Sequence, residues 1–153
     1  MGLEREQVAQ AGGVPFAQFI ENVAAAAKLK VQVKTPELVV IPWDLGEGRS
    51  QNTFVRLMGQ TAGGDRVIAF FSPALKLAPG QELGQKTCNQ LLRRNAALAH
   101  GAWAIARIDC EDYLVVQDTQ TAQTMEPSEF HASAIAVART ADEMERQLGA
   151  DVF

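Results

Sequence analysis

The sequence has few of the residues from which proteins build redox or metal sites. It contains only two cysteines, Cys88 and Cys110, and two histidines, His100 and His131. The cysteines do not form a C-x-x-C pair, and neither histidine lies at ligand spacing from them, so no zinc site and no redox dithiol are predicted. We expect both cysteines to be small buried hydrophobes. A disulfide between them is the alternative, although nothing indicates an oxidising compartment.

Basic charge is also scarce. The chain has 14 lysines and arginines against 18 aspartates and glutamates, which gives a net charge of -4. Proteins that bind nucleic acid without sequence preference need clustered cations to displace phosphate counterions. The densest basic pair, Arg93-Arg94, is typical of a solvated helix face. No nucleic-acid partner is therefore expected.

Long apolar runs are missing as well. No stretch approaches the roughly 18 apolar residues of a membrane-spanning helix. Two acidic residues, Glu4 and Glu6, precede any apolar run, which is unlike a signal peptide. We therefore expect no membrane partner and a cytoplasmic location. A chain of 153 residues has the length of one domain, predicted at 14–150 after a flexible N-terminal arm at 1–13.

Hydrophobic periodicity predicts an α+β fold with three helices and about five strands. Helices are predicted from Pro15 to about Lys30, from about Glu82 to His100, and from near Pro127 to Leu148, with Gly101 and Gly149 as C-caps. Strand-like runs lie at 31–34, 38–41, 54–58, 66–71, 102–108 and 113–117, of which the first is short. The segments 44–50 and 72–80 are predicted loops. Direct strand-turn-strand connections favour an antiparallel sheet in the order α-βββ-α-ββ-α.

No motif in the sequence predicts catalysis or a cofactor. The glycine-rich segment 46–50 lacks the spacing of a phosphate loop and precedes a strand. The acidic cluster at 109–112 is typical of a solvated turn and lacks the spacing of a calcium loop. Neither histidine has a nucleophile context. We therefore predict that the protein is not an enzyme, with no metal site, and keep a metal enzyme at the acidic turn as the alternative.

Two apolar clusters are candidate binding sites. Trp43 follows a proline at a strand exit, where it could serve as a contact anchor. Together with Val39 and Ile41 it is predicted to bind a partner, because Pro42 indicates a strand edge. The predicted dimer interface is the stripe of the second helix, where a buried Asn95 would need a hydrogen-bond partner; its residues are Leu91, Leu92, Asn95 and Leu98.

The segment Leu91–Ala102 resembles the YbjN-like and type III secretion chaperone-like superfamily. In that superfamily a leucine-rich turn and an asparagine precede a small residue that leads into a strand. The following hairpin and the closing helix Phe130–Leu148, with its segment Ala138–Asp142, resemble the superfamily too. The resemblance implies a homodimer that holds extended segments of client proteins against apolar grooves and strand edges, without a cofactor or a reaction.

These observations favour a non-enzymatic, dimeric protein-binding module, either chaperone-like or regulatory. Its dimer could form through the second helix or through a sheet edge. A small-molecule-binding or sensory domain is the alternative, because the predicted loops at 44–50 and 72–80 could frame a pocket.

Overall fold

A computed structural model describes residues 13–148 and shows an antiparallel sheet with three helices. The helices are α1 (Phe16–Ala26), α2 (Gln85–Asn95) and α3 (Pro127–Leu148). The strands are β1 (Gln32–Thr35), β2 (Leu38–Gly46), β3 (Arg49–Gln60), β4 (Arg66–Leu77), β5 (Ala102–Ile108) and β6 (Glu111–Thr121). They lie in the order β1-β2-β3-β4-β6-β5, and every neighbouring pair is antiparallel.

The predicted α+β class and the antiparallel sheet are therefore confirmed. The sheet has six strands within the described residues, because the short run near residue 32 forms β1. The predicted arm, apart from Gly13, and the predicted C-cap Gly149 lie outside the described residues.

The core lies between the sheet and helices α1 and α3. Phe16 and Ile20 of α1 and Phe130 of α3 are at most 1% exposed. The ring of Phe130 lies edge-on to that of Phe70 in β4, with centroids 5.3 Å apart. Burial of each such side chain stabilises the fold by about 1.5–3 kcal/mol, so this layer holds α3 against β3 and β4.

Helix α1 is shorter than predicted. It ends at Ala26 instead of near Lys30. Lys28 adopts a φ of 60°, and the backbone N–H groups of Lys28 and Leu29 donate to the carbonyls of Ala25 and Ala24. This is a Schellman termination, which satisfies the last carbonyls of the helix and turns the chain toward β1.

Both segments predicted as loops belong to strands. Residues 44–50 form the end of β2, a two-residue turn and the start of β3. The turn residues Glu47 and Gly48 have φ values of 55° and 75°, as a type I′ hairpin turn requires. Most of 72–80 extends β4 to Leu77. Pro73 is tolerated there because β3 pairs with β4 only as far as Phe71, so the missing N–H removes no β3–β4 ladder bond.

Helix α2 is also shorter than predicted. It begins at Gln85 and ends at Asn95, five residues before His100. The backbone N–H of Ala97 bonds to the carbonyl of Arg94, so the chain leaves the helix in tight turns. Leu98 therefore lies outside the helix. Gly101 does not cap it, and instead leads the chain into β5 with a φ of 81°.

Candidate functional site

The most exposed apolar surface among the described residues joins α2 to β5. Leu92 is 65% exposed and Ile105 is 53% exposed, the two highest values among the large apolar side chains of residues 13–148. Both line an apolar groove of about 180 Å³ between the helix and the strand. Its other walls come from Leu83, Cys88, Leu91, Asn95, Trp103, Ala104 and Leu114. Apolar side chains clustered in this way are typical of a contact surface.

The strand beside this groove is an edge of the sheet. Among residues 13–148, β5 pairs only with β6. The backbone N–H and C=O of Trp103 bond to the side chain of Asn95 and so point away from β6. Because backbone groups alternate between the two sides of an antiparallel strand, those of Ile105 and Arg107 also point outward. Such an edge can pair with a strand of another chain.

The structure distributes the four residues of the predicted dimer interface over different environments. Leu92 faces outward, whereas Leu91 is 8% exposed and belongs to the core. Leu98 is half-buried and packs against the core. Asn95 has the predicted hydrogen-bond partner within its own chain, the backbone of Trp103. Leu92 is therefore the member that is free to contact a partner.

Sequence reasoning missed Ile105. It follows Trp103 by two residues and therefore lies on the same face of β5. Trp103 is covered, at 8% exposed, whereas Ile105 is not. The alternation was visible in the sequence, but the position of β5 at the end of the sheet was not.

The predicted partner-binding residues on β2 also differ in their exposure. Val39 and Ile41 are at most 1% exposed, so their side chains belong to the core, and only their backbone can reach a partner. Trp43 is half-buried, and its Nε1 donates a hydrogen bond of 2.9 Å to Oγ1 of Thr53. The ring of His131 lies edge-on to the indole at 5.8 Å. Trp43 is therefore fixed in position with part of its ring accessible.

A groove of about 590 Å³ opens beside Trp43. One wall is the β2–β3 hairpin, and the other is the side of α3 that carries His131. The lining residues are Trp43, Asp44, Leu45, Arg49, His131, Ile135, Arg139, Asp142, Glu143 and Arg146. Sequence reasoning singled out Trp43 and His131 separately. The spacing of His131, Ile135, Arg139 and Glu143 at intervals of four could have indicated one helix face.

Two hydrogen-bonded pairs connect β3 to α3 at this groove. Nε of Arg49 donates to both carboxylate oxygens of Asp142 at 3.1 and 3.2 Å, and Asp142 is 7% exposed. Next to this pair, Nε2 of Gln51 donates to Oε1 of Glu145 at 2.8 Å, and each residue is 2% exposed. Buried polar groups need such partners. The two pairs fix the register of β3 against α3.

The acidic turn forms ion pairs with neighbouring strands. Asp109 and Cys110 occupy the turn with φ values of 49° and 66°. Nζ of Lys76 lies 2.6 Å from Oε1 of Glu111. The hydrogen bond from Lys76 lowers the pKa of Glu111, and the same bond raises the pKa of Lys76. No group of three or more metal-ligating side chains occurs among residues 13–148.

Both cysteines are free thiols. Cys88 is half-buried, in partial agreement with the prediction. Cys110 is exposed, so the prediction that it is buried was wrong. The reason is its place in the two-residue turn between β5 and β6.

Within the described part of the chain, none of the helices has the length and apolarity needed to cross a bilayer.

Neither the family models nor the curated proteins include a match to this sequence. The structure is similar to the type III secretion chaperone SycH of Yersinia pestis, solved in complex with a stable fragment of YscM2. The TM-score is 0.50 and the identity 13%, over 83% of this chain and 97% of the SycH chain. The chain therefore has a secretion chaperone-like α+β fold.

Proposed function

We propose that the protein is a non-enzymatic, homodimeric binding module that holds a segment of a partner protein, as a chaperone or a regulator. The observation that carries this proposal is the surface formed by Leu92, Ile105 and the outer edge of β5. The two exposed side chains stand beside a strand edge whose backbone groups point outward at Ile105 and Arg107.

The fold supports the binding role. The solved SycH structure contains a chaperone together with a protein fragment. A shared fold alone does not carry function from one protein to another. The proposal for this chain therefore depends on its own surface, which has exposed apolar groups and no cluster of metal ligands within residues 13–148. We also propose a cytoplasmic location, because Cys110 is an exposed free thiol, which persists in a reducing compartment.

The homodimer is tested by replacing Leu92 with glutamate. The wild-type protein is expected at about 33 kDa by light scattering, twice the chain mass of 16.6 kDa. A charge at the centre of the interface would be desolvated without a partner, so Leu92→Glu should yield monomers. Val33→Glu is the matched control, because Val33 is 43% exposed on β1 at the other end of the sheet. A Leu92→Glu protein that keeps the dimer mass would show that this interface is wrong.

The partner is tested by affinity capture of the tagged protein from its native extract, with mass spectrometry. We expect one stoichiometric protein that is lost when Trp43 or the apolar surface of Leu92 and Ile105 is made polar. Recovery of the homodimer alone would argue against partner holding and favour the small-molecule alternative. For that alternative, the hairpin at 44–50 does line a groove, but α3 forms the opposite wall and residues 72–80 do not contribute.

A further inference from the structure

We propose that helix α2 is a hinged cover of the β5 edge, which moves away from the sheet as a unit and exposes the backbone of Trp103. This inference rests on the proposed function and deepens it, because it describes how the surface around Leu92 and Ile105 is regulated. Few contacts hold α2 in its closed position, and the polar ones lie at one end of the helix.

Helix α2 buries little apolar surface for its length. It has 11 residues, as α1 has, but only Leu91 is buried, whereas α1 buries Phe16, Ile20 and Ala24. A helix this short is marginal in water and depends on packing against the rest of the protein. Leu91 itself lies between two grooves, the one toward β5 and another of about 280 Å³ toward α3. Helix α2 is therefore the most weakly packed of the three described helices.

The polar contacts of α2 with other elements lie at its last two residues. The side chain of Asn95 bonds to the backbone of Trp103, and Nη2 of Arg94 donates to Oε1 of Gln147 in α3 at 3.0 Å. Among residues 13–148, no side chain from 85 to 93 forms a hydrogen bond or ion pair with another helix or strand. Breaking these two contacts and withdrawing Leu91 therefore frees the whole helix.

The chain on both sides of α2 can bend. Residues 78–84 form neither helix nor strand, and Gly80 has a φ of 74°. After the helix, residues 96–100 form turns that end at Gly101, which is fixed against β6. Hinges of moving elements are short segments of this kind, which absorb large changes in φ and ψ. Helix α2 can therefore move while β4 and β5 remain in the sheet.

Opening changes the sheet edge at one position. In the closed form the amide of Asn95 occupies the N–H and C=O of Trp103, and only Ile105 and Arg107 offer outward backbone groups. In the open form all three residues present these groups to another strand. Trp103 and Leu114, which line the groove together with Leu91, also become more accessible. The open form is thus a longer and more apolar edge for a strand of the partner protein.

The closed form is the one that suits a second copy of the chain. Leu92 lies on α2 and Ile105 on β5, so the two side chains form one surface only while α2 is in place. A ligand stabilises the form to which it binds, so dimerisation should hold α2 closed. The second copy and the partner strand then exclude each other at this surface.

Hydrogen exchange followed by NMR measures the opening residue by residue. We expect the amides of Leu91 and Asn95 and the Trp103 N–H to exchange together, at least tenfold faster than those of Ile20 in α1 and of Ala104. The Ala104 N–H points toward β6, so it stays protected when α2 opens. Equal protection of Leu91 and Ile20, or a Trp103 N–H as slow as that of Ala104, would overturn the inference.

Two arginine variants test whether α2 moves as a unit. The hydrogen bonds of Arg94 go only to α3, so Arg94→Ala removes no bond of Trp103. We expect it to speed exchange at least threefold both in α2 and at the Trp103 N–H. Arg93→Ala is the matched control, because Arg93 is exposed and forms no hydrogen bond or ion pair with any other residue from 13 to 148. Faster exchange in α2 without a change at Trp103 would show that the helix melts without exposing the edge.

Protein concentration separates this inference from the proposed dimer. Exchange in α2 should slow as light scattering detects the dimer, and it should stay fast at every concentration in Leu92→Glu. If the dimer forms and exchange in α2 does not change, the inference is overturned while the proposed function stands. If no dimer forms at any concentration, the homodimer of the proposed function fails, and joint exchange of Trp103 with α2 still decides whether the helix opens.

Discussion

The side chain of Asn95 binds both backbone groups of Trp103. Its Oδ1 accepts the Trp103 N–H at 2.6 Å, and its Nδ2 donates to the Trp103 carbonyl at 3.3 Å. Asn95 is the last residue of α2 and Trp103 is the second residue of β5. The amide thus takes the place of a neighbouring strand at one position of the sheet edge, and it holds the groove between helix and strand together.

Replacement of Asn95 with alanine should destabilise the protein. The Trp103 N–H would lose its partner at a half-covered site, which costs about 1–3 kcal/mol. Urea denaturation followed by circular dichroism measures this as a lower midpoint. Asn95→Asp keeps the short acceptor bond and should lose less. A midpoint for Asn95→Ala equal to that of the wild type would show that the bond contributes nothing.

Gly101 lies so close to β6 that an added side chain would require a small shift of the strand. Its φ is 81°, and an added Cβ would lie 3.0 Å from the backbone oxygen of Gln117. Gly101→Ala should therefore cost the strain of a positive φ, about 1 kcal/mol, and in addition the displacement of β6. Gly64→Ala is the matched control, because Gly64 has a φ of 89° with nothing within 4 Å.

In urea titrations the Gly101→Ala variant should unfold at a clearly lower concentration than Gly64→Ala. Equal midpoints would mean that β6 moves without a measurable loss of stability. Only the positive φ of Gly101 would then oppose the substitution.

The sequence contained enough information for the class of fold, because that depends on local periodicity. The apolar stripe of α3, with Phe130 and Val137, and the alternation in β5 are properties of a few neighbouring residues. The secondary-structure prediction was wrong where one local sequence is compatible with two structures. The residues around Glu47-Gly48 look like a glycine-rich loop, and only the pairing of β2 with β3 makes them a tight hairpin.

The candidate sites were less predictable than the fold. Exposure depends on which strand lies at the end of the sheet, and this order is set by long-range pairing. Val39, Ile41 and Trp43 alternate in the same way, yet the first two are buried in the core and part of the third is accessible. The arginines of the groove lie on β3 and α3, about 90 residues apart in the chain, and no local pattern connects them.

The Lys76–Glu111 ion pair predicts a pH-dependent contribution to stability. The pKa of Glu111 is lowered in the folded state by its hydrogen bond to Lys76. A lowered carboxyl pKa gives a contribution that is present above the unfolded pKa and is lost as the pH falls through the folded pKa. The raised pKa of Lys76 gives the corresponding loss when the pH rises through its folded value.

Thermal unfolding of wild type and Glu111→Gln measures this contribution. The wild type should melt at a higher temperature at pH 7, and the difference should be smaller at pH 3, because the contribution is lost as the pH falls through the lowered folded pKa of Glu111. It should also shrink in 0.5 M NaCl, because both side chains are partly exposed and their pair is screened. A difference that is the same at pH 7 and pH 3 would assign the effect of the variant to something other than the ion pair.

The hydroxyl of Thr53 connects Trp43 to helix α3. It donates to the carbonyl of Ala134 at 2.7 Å and accepts from Nε1 of Trp43 at 2.9 Å. Thr53 is fully buried, so Thr53→Val keeps the shape and leaves the Ala134 carbonyl and the indole N–H without this partner. We expect a loss of about 1–3 kcal/mol in urea denaturation and a changed fluorescence of Trp43, measured in a Trp103→Phe background.

The Thr53→Ser variant distinguishes the contribution of the hydroxyl from that of the methyl group. It keeps both hydrogen bonds and removes only one buried methyl, so the Trp43 fluorescence should stay as in the parent protein. A Trp43 fluorescence in Thr53→Val equal to that of the parent protein would mean that this hydroxyl does not fix the position of the indole.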